Sequence, residues 1–87
     1  MNRTEQNQGQ TPIERWHKEG RYFVAWAQVD LFGEWRVMRY WGRIGSPLGG
    51  ARADIAENAQ AAAAQLVAIS KRRAQRGYVP AIGGAHG

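Results

Sequence analysis

The chain of 87 residues has no cysteine, which excludes disulfides, thiolate chemistry and cysteine-ligated metal. It has no apolar run near the ~18 residues of a membrane span. Its opening, MNRTEQNQGQTP, lacks the apolar core of a secretory signal. Together these absences predict a cytoplasmic protein with no membrane partner. Catalytic side chains are just as scarce. His17 and His86 are the only histidines, Ser46 and Ser70 the only serines, and no base is identifiable for either serine. A metal site would need carboxylates, and Asp54 and Glu57 straddle an expected helix start, where the helix dipole accounts for acids. GRIGSPLGG lacks both the Gly-Lys-Ser/Thr of a phosphate loop and the GxGxxG of a dinucleotide fold. The reading is a non-enzyme with no cofactor, no metal and no small-molecule substrate.

Cations, by contrast, are in surplus. Twelve Lys and Arg stand against seven Asp and Glu, a formal charge of +5. Ten of the twelve are arginine, whose planar fork suits bidentate phosphate contacts and stacking. That balance favours a polyanionic partner such as nucleic acid.

Aromatic and β-branched residues dominate from Ile13 to Arg43 and predict strands. Ile13–Lys18 leads through the turn signal Glu19-Gly20 into Arg21–Val29. This second run is apolar on both alternate sets and so predicts a central strand covered at least partly on each side. Asp30–Gly33 reads as a loop and Glu34–Ile44 as a third strand. Period 2 puts Trp35, Val37, Arg39, Trp41 and Arg43 on one face, with Arg36, Met38, Tyr40 and Gly42 on the other. A wide turn over Gly45–Gly50 precedes a weaker fourth strand, Ala51–Ala56.

The period then changes. Asn58 is a suitable N-cap for a helix over Ala59–Gln75, with Ala59, Ala62, Ala63, Leu66, Ile69 and Ser70 on one stripe. Gly77 suits the residue after the helix end, and Tyr78–Ile82 predicts a short edge strand, where Pro80 is tolerated. The fold class is therefore α+β, an antiparallel sheet of four to five strands with one helix packed on a face. The expected organisation is a disordered segment over 1–12, one domain over 13–82 and a flexible tail over 83–87.

Two features point to binding. The run Lys71, Arg72, Arg73 and Arg76 reads either as a phosphate-contacting patch or as cations complementing the helix C-terminus, with Arg73 snorkelling at the end of the core. The face of Arg39, Trp41 and Arg43 reads either as a stacking surface flanked by guanidiniums or as a tryptophan closing the core beside solvated arginines. An indole between two like charges on one strand face is an awkward core position.

These residues also carry a resemblance. DLFGEWRVMRYWGRIGSPLGG (Asp30–Gly50), with KRRAQRGY (Lys71–Tyr78) at a helix end, resembles the WGR domain family, named for the tripeptide matched by Trp41-Gly42-Arg43. The resemblance spans roughly Gly20 to Tyr78 and includes stand-alone bacterial proteins and the module beside the catalytic domain of DNA-damage-responsive poly(ADP-ribose) polymerases. It implies an antiparallel sheet with one helix. It also implies binding of double-stranded DNA, at ends or nicks, with Trp41 packing on a strand-end sugar and Arg43 at the DNA and domain junction. The chain is too short for a catalytic domain as well, so an enzyme partner would act in trans. It also has Val24 where many relatives carry a basic residue. The candidate nucleic-acid contacts are Trp41, Arg43, Arg39, Arg21, Lys71 and Arg72. The alternative is a protein–protein interaction module using the same face.

Overall fold

A computed structural model describes residues 9–81. The elements are β1 (Glu14–Lys18), β2 (Arg21–Val29), β3 (Trp35–Arg43), β4 (Gly49–Ala56), α1 (Ala59–Gln75) and β5 (Val79–Pro80). The strands form one antiparallel sheet in the order β4-β3-β2-β1-β5. β2 is thus central, as its apolar content predicts, and the strand containing Pro80 lies at an edge.

Turn chemistry sets the register. Glu19 and Gly20 take φ of 47° and 81°, as a two-residue hairpin with a type I′ turn requires, and Lys18 lies opposite Arg21. The β2–β3 loop is pinned by Asp30, whose Oδ1 accepts from the Phe32 and Glu34 N–H groups at 2.9 Å each. Its Oδ2 accepts from Arg36 Nε at 3.0 Å. These bonds, the Glu34 N–H foremost, hold the Asp30 carboxyl below the usual carboxylate range.

The helix has the bounds predicted for it. Asn58 Oδ1 accepts from the Ala61 N–H at 2.8 Å, which satisfies one of the free donors of the first turn. At the other end Gly77 adopts φ of 89°. The Gly77 N–H bonds Ala74 O at 3.0 Å and the Tyr78 N–H bonds Arg73 O at 2.9 Å, closing the helix in a Schellman motif. Lys18 Nζ adds a 2.7 Å bond to Arg76 O.

α1 packs on one face of the sheet. Ala62, Leu66 and Ile69 meet Phe23, Ala25, Ala27, Val37 and Ala56, with Trp16 edge-on to Phe23. Ala25, Ala27, Val37 and Ala62 are wholly buried. The small residues let helix and sheet approach closely, and burial of Leu66 and Ile69 contributes about 1.5–3 kcal/mol each. Ala59 and Ala63 of the predicted stripe are exposed, because the helix meets the sheet along the narrower line Ala62–Leu66–Ile69.

Several expectations are corrected. Residues 9–12 are not free: Gln10 bridges Gln28, the Thr11 N–H bonds Ala27 O and the Val29 N–H bonds Gly9 O. Residues 1–8, Ile82, the tail 83–87 and His86 lie outside the described residues. Asp54 belongs to β4 rather than to a helix start. Finally, β2 is covered on one side only: among the described residues, no element packs on the face of Tyr22, Val24 and Trp26.

Candidate nucleic-acid interface

Trp41 sits on the helix-side face of β3, opposite Phe23 of β2 and Gly50 of β4. Its indole stacks on the Phe23 ring at 6.0 Å between centroids and 12° between planes. A Cβ at Gly50 would lie 2.5 Å from the indole, so glycine there is what lets the ring lie flat across β4. Gly42 does the corresponding job on the opposite face, where the Tyr22 ring crosses it and a Cβ would meet the Tyr22 hydroxyl at 2.6 Å. Trp41 is thus packed on one side and 36% exposed overall. The indole is therefore neither wholly core nor free surface: one side closes on Phe23 and the rest is open to solvent.

The helix ends just where the tryptophan begins. The Arg73 guanidinium lies 4.2 Å from the Phe23 ring centroid and 5.0 Å from that of Tyr78, in cation–π range. Burial lowers the Arg73 pKa, with Tyr78 opposing the shift and Arg76 and Arg72 adding to it. An arginine so placed stays charged, and its Nε has no hydrogen-bond partner. A neighbouring anion would relieve that situation.

Two depressions flank the indole. One, of about 350 Å³, is floored by Phe23, Trp41 and Tyr78 and walled by Arg39, Arg52, Arg72, Arg73 and Arg76. The other, also about 350 Å³, runs past the sheet end along Arg21, Tyr22, Gly42, Arg43 and Ser46. Arg21 and Arg43 are direct cross-strand partners, a like-charge pairing that costs stability unless something offsets it. Among the described residues, the only carboxylate ion-paired to any of these arginines is Asp54, 3.2 Å from Arg39 Nη2 and 3.0 Å from Arg52 Nε.

The six candidate contacts therefore fall into three groups. Trp41, Arg43 and Arg21 line the sheet-end depression, and Arg72 faces Trp41 across the helix-end one. Arg39 lines the helix-end depression but is tied to Asp54. Lys71 stands apart, on the flank of α1 with Arg39 and Arg72. Residue-level reading missed Arg52. The β3–β4 register places it directly opposite Arg39, but that register depends on a loop whose geometry is not written in any single residue. It also left Tyr78 out of the site, although Gly77 turns the chain so that this ring meets Phe23 at 6.4 Å.

Among the described residues, no group of three or more His, Cys, Asp or Glu side chains is arranged to hold a metal ion. No described helix is long and apolar enough to cross a membrane.

No curated protein and no solved structure matches the chain. A family model does: that of the WGR domain, over residues 4–84. It spans the sheet, the helix and both depressions; Trp41 lines both of them, and Gly42 and Arg43 the sheet-end one. WGR domains are nucleic-acid-binding modules. The chain belongs to the WGR domain family.

Proposed function

We propose that this protein is a non-enzymatic DNA-binding module that engages duplex DNA at its ends or nicks. Trp41 packs on an exposed deoxyribose or base, and Arg43 and Arg21 take the adjacent phosphates. Arg72 adds a contact across the helix-end depression. Arg39 acts mainly through its ion pair with Asp54, which fixes one wall of that depression, and Lys71 contributes long-range attraction from the helix flank. One observation carries the reading: a half-exposed indole at the meeting point of two depressions walled by seven arginines, with one carboxylate among them. Such an excess of guanidinium over carboxylate suits a phosphate backbone better than a mixed-charge protein surface.

The test is fluorescence anisotropy with blunt, nicked and closed-circular duplex at two salt concentrations, with Trp41→Ala and Arg43→Ala alongside. The reading expects binding that weakens with salt, preference for blunt or nicked over closed duplex, and loss of that preference in Trp41→Ala. No binding to any duplex at low salt overturns it. Equal binding to all three forms, unaffected by Trp41→Ala, reduces the interaction to nonspecific attraction.

A further inference from the structure

The face of the sheet turned away from α1 is open, and only its Tyr22–Gly42 end touches the site just described. Cross-strand register puts Tyr22, Val24 and Trp26 of β2 on it, with Met38 and Tyr40 of β3, Ala51, Ala53 and Ile55 of β4, and Arg15 and His17 of β1. Tyr22 is 36% exposed, Tyr40 43% and Ile55 59%. Trp26 and Tyr40 stack on each other at 5.5 Å with their planes 1° apart, and Trp26 Nε1–H is anchored to Gln28 Oε1 at 2.7 Å. The result is a rigid aromatic platform standing on a sheet.

Charge narrows what could cover it. The strand positions on this face supply Arg15, His17 and Arg36 and no carboxylate at all. Arg36 is held by Asp30 and Glu34 from the neighbouring loop, while Arg15 and His17 have no ion pair among the described residues. A second copy of the chain would bring cations against cations in a two-fold contact. Unpaired bases on a phosphate backbone meet both features, since they stack on aromatics and carry the opposite charge. The platform is also continuous with the site: Tyr22 lies across Gly42 and shares the sheet-end depression with Trp41, Arg21 and Arg43.

Resting on the duplex-end reading above, we propose that the open face binds the unpaired bases of a DNA strand that continues past the duplex end held at Trp41. The strand rounds the sheet end between Arg21 and Arg43, passes Tyr22, and stacks on the Tyr40–Trp26 platform, with Arg15 taking a phosphate.

Anisotropy of a blunt duplex against the same duplex carrying a six-thymidine overhang, on either strand, tests this. Four proteins are compared: wild type, Tyr40→Ala, Ala53→Glu and Trp41→Ala. Ala53 is exposed beside Met38, so its glutamate variant places a repelling charge on the platform without removing any packing. It decides the question even if Tyr40→Ala fails to fold. The expected result is about tenfold tighter binding of one overhang duplex by wild type, the gain of a single well-stacked base. That gain is lost in Tyr40→Ala and Ala53→Glu, while blunt-duplex affinity stays within about twofold. Equal affinity of wild type for blunt and overhang duplexes overturns the proposal. So does a gain that survives in Ala53→Glu. Blunt-duplex binding by Trp41→Ala judges the underlying reading separately: if it is unchanged that reading fails, whereas the open face is judged only on the difference between overhang and blunt.

Discussion

Val37 and Trp41 occupy the same face of the same strand, yet one is wholly buried and the other 36% exposed. The difference lies in the helix above them. Along the contact line of α1 the residues run Ala62, Leu66, Ile69 and then Arg73, each three or four positions after the last. The first three cover Ala27, Val37 and Ala56. The fourth carries a charge, stops over Phe23 and Tyr78, and leaves the rest of the sheet face uncovered. One amphipathic stripe, turning from apolar to cationic along its length, makes a core at one end of the sheet and an arginine-walled surface at the other. Alternation along a strand selects a face, and the partner element decides which part of that face becomes core.

The sharpest way to break this comparison is to exchange the two kinds of loss. Leu66→Ala should cost about 2–5 kcal/mol in urea unfolding, while duplex affinity of the folded fraction remains near wild type. Trp41→Ala should do the reverse, cutting duplex affinity on the order of tenfold with a much smaller change in unfolding midpoint. If Leu66→Ala abolished binding under folding conditions, the two ends would not be separable.

Gly50→Ala sharpens the same point without touching the tryptophan. Its methyl would sit 2.5 Å from the indole, so the ring must leave its place on Phe23. Binding should fall nearly as far as in Trp41→Ala, and a displaced Trp41 should appear as an altered near-ultraviolet circular dichroism spectrum. Smaller again is Arg43→Ala, which should lower the slope of log affinity against log salt by about 1. Arg21→Ala should behave alike.

The smallest effects belong to the far tip of the β2–β3 hairpin. Leu31 and Phe32 are 98% and 88% exposed, and stand roughly 25 Å from Trp41 by strand rise. Phe32→Ser should change neither stability nor duplex affinity measurably. Asp30, which orders that tip, has its carboxyl pKa lowered by its hydrogen bonds. Its contribution to stability is therefore present above the ordinary carboxylate value of 3.8 and is lost as pH falls from there through its lower folded value. Asp30→Asn should flatten the unfolding midpoint over that window relative to wild type.

Much of this arrangement was legible in the sequence, for local reasons. Asn58 and Gly77 mark the ends of α1 because capping is a local matter of side-chain oxygen and positive φ. Period 2 brought Arg39, Trp41 and Arg43 to one face, and an aromatic between two cations was already an odd core position. What was not legible depends on contacts between distant segments. Arg52 enters the site only through the β3–β4 register. The pairing of Arg39 with Asp54 requires the same register and turns an expected phosphate contact into part of a network. The tie between residues 9–12 and the end of β2 is made mostly by backbone groups, which carry no residue signature. The open face of β2 likewise follows from there being only one described helix to cover two apolar faces.

The most direct test of the central claim is to follow the four tryptophan indole N–H signals in a ¹⁵N-labelled sample titrated with blunt duplex. A large, saturable shift of the Trp41 signal is expected, while those of the buried Trp16 and of Trp35, which packs against the core, stay in place. A titration in which the duplex binds and the Trp41 signal does not move would contradict it.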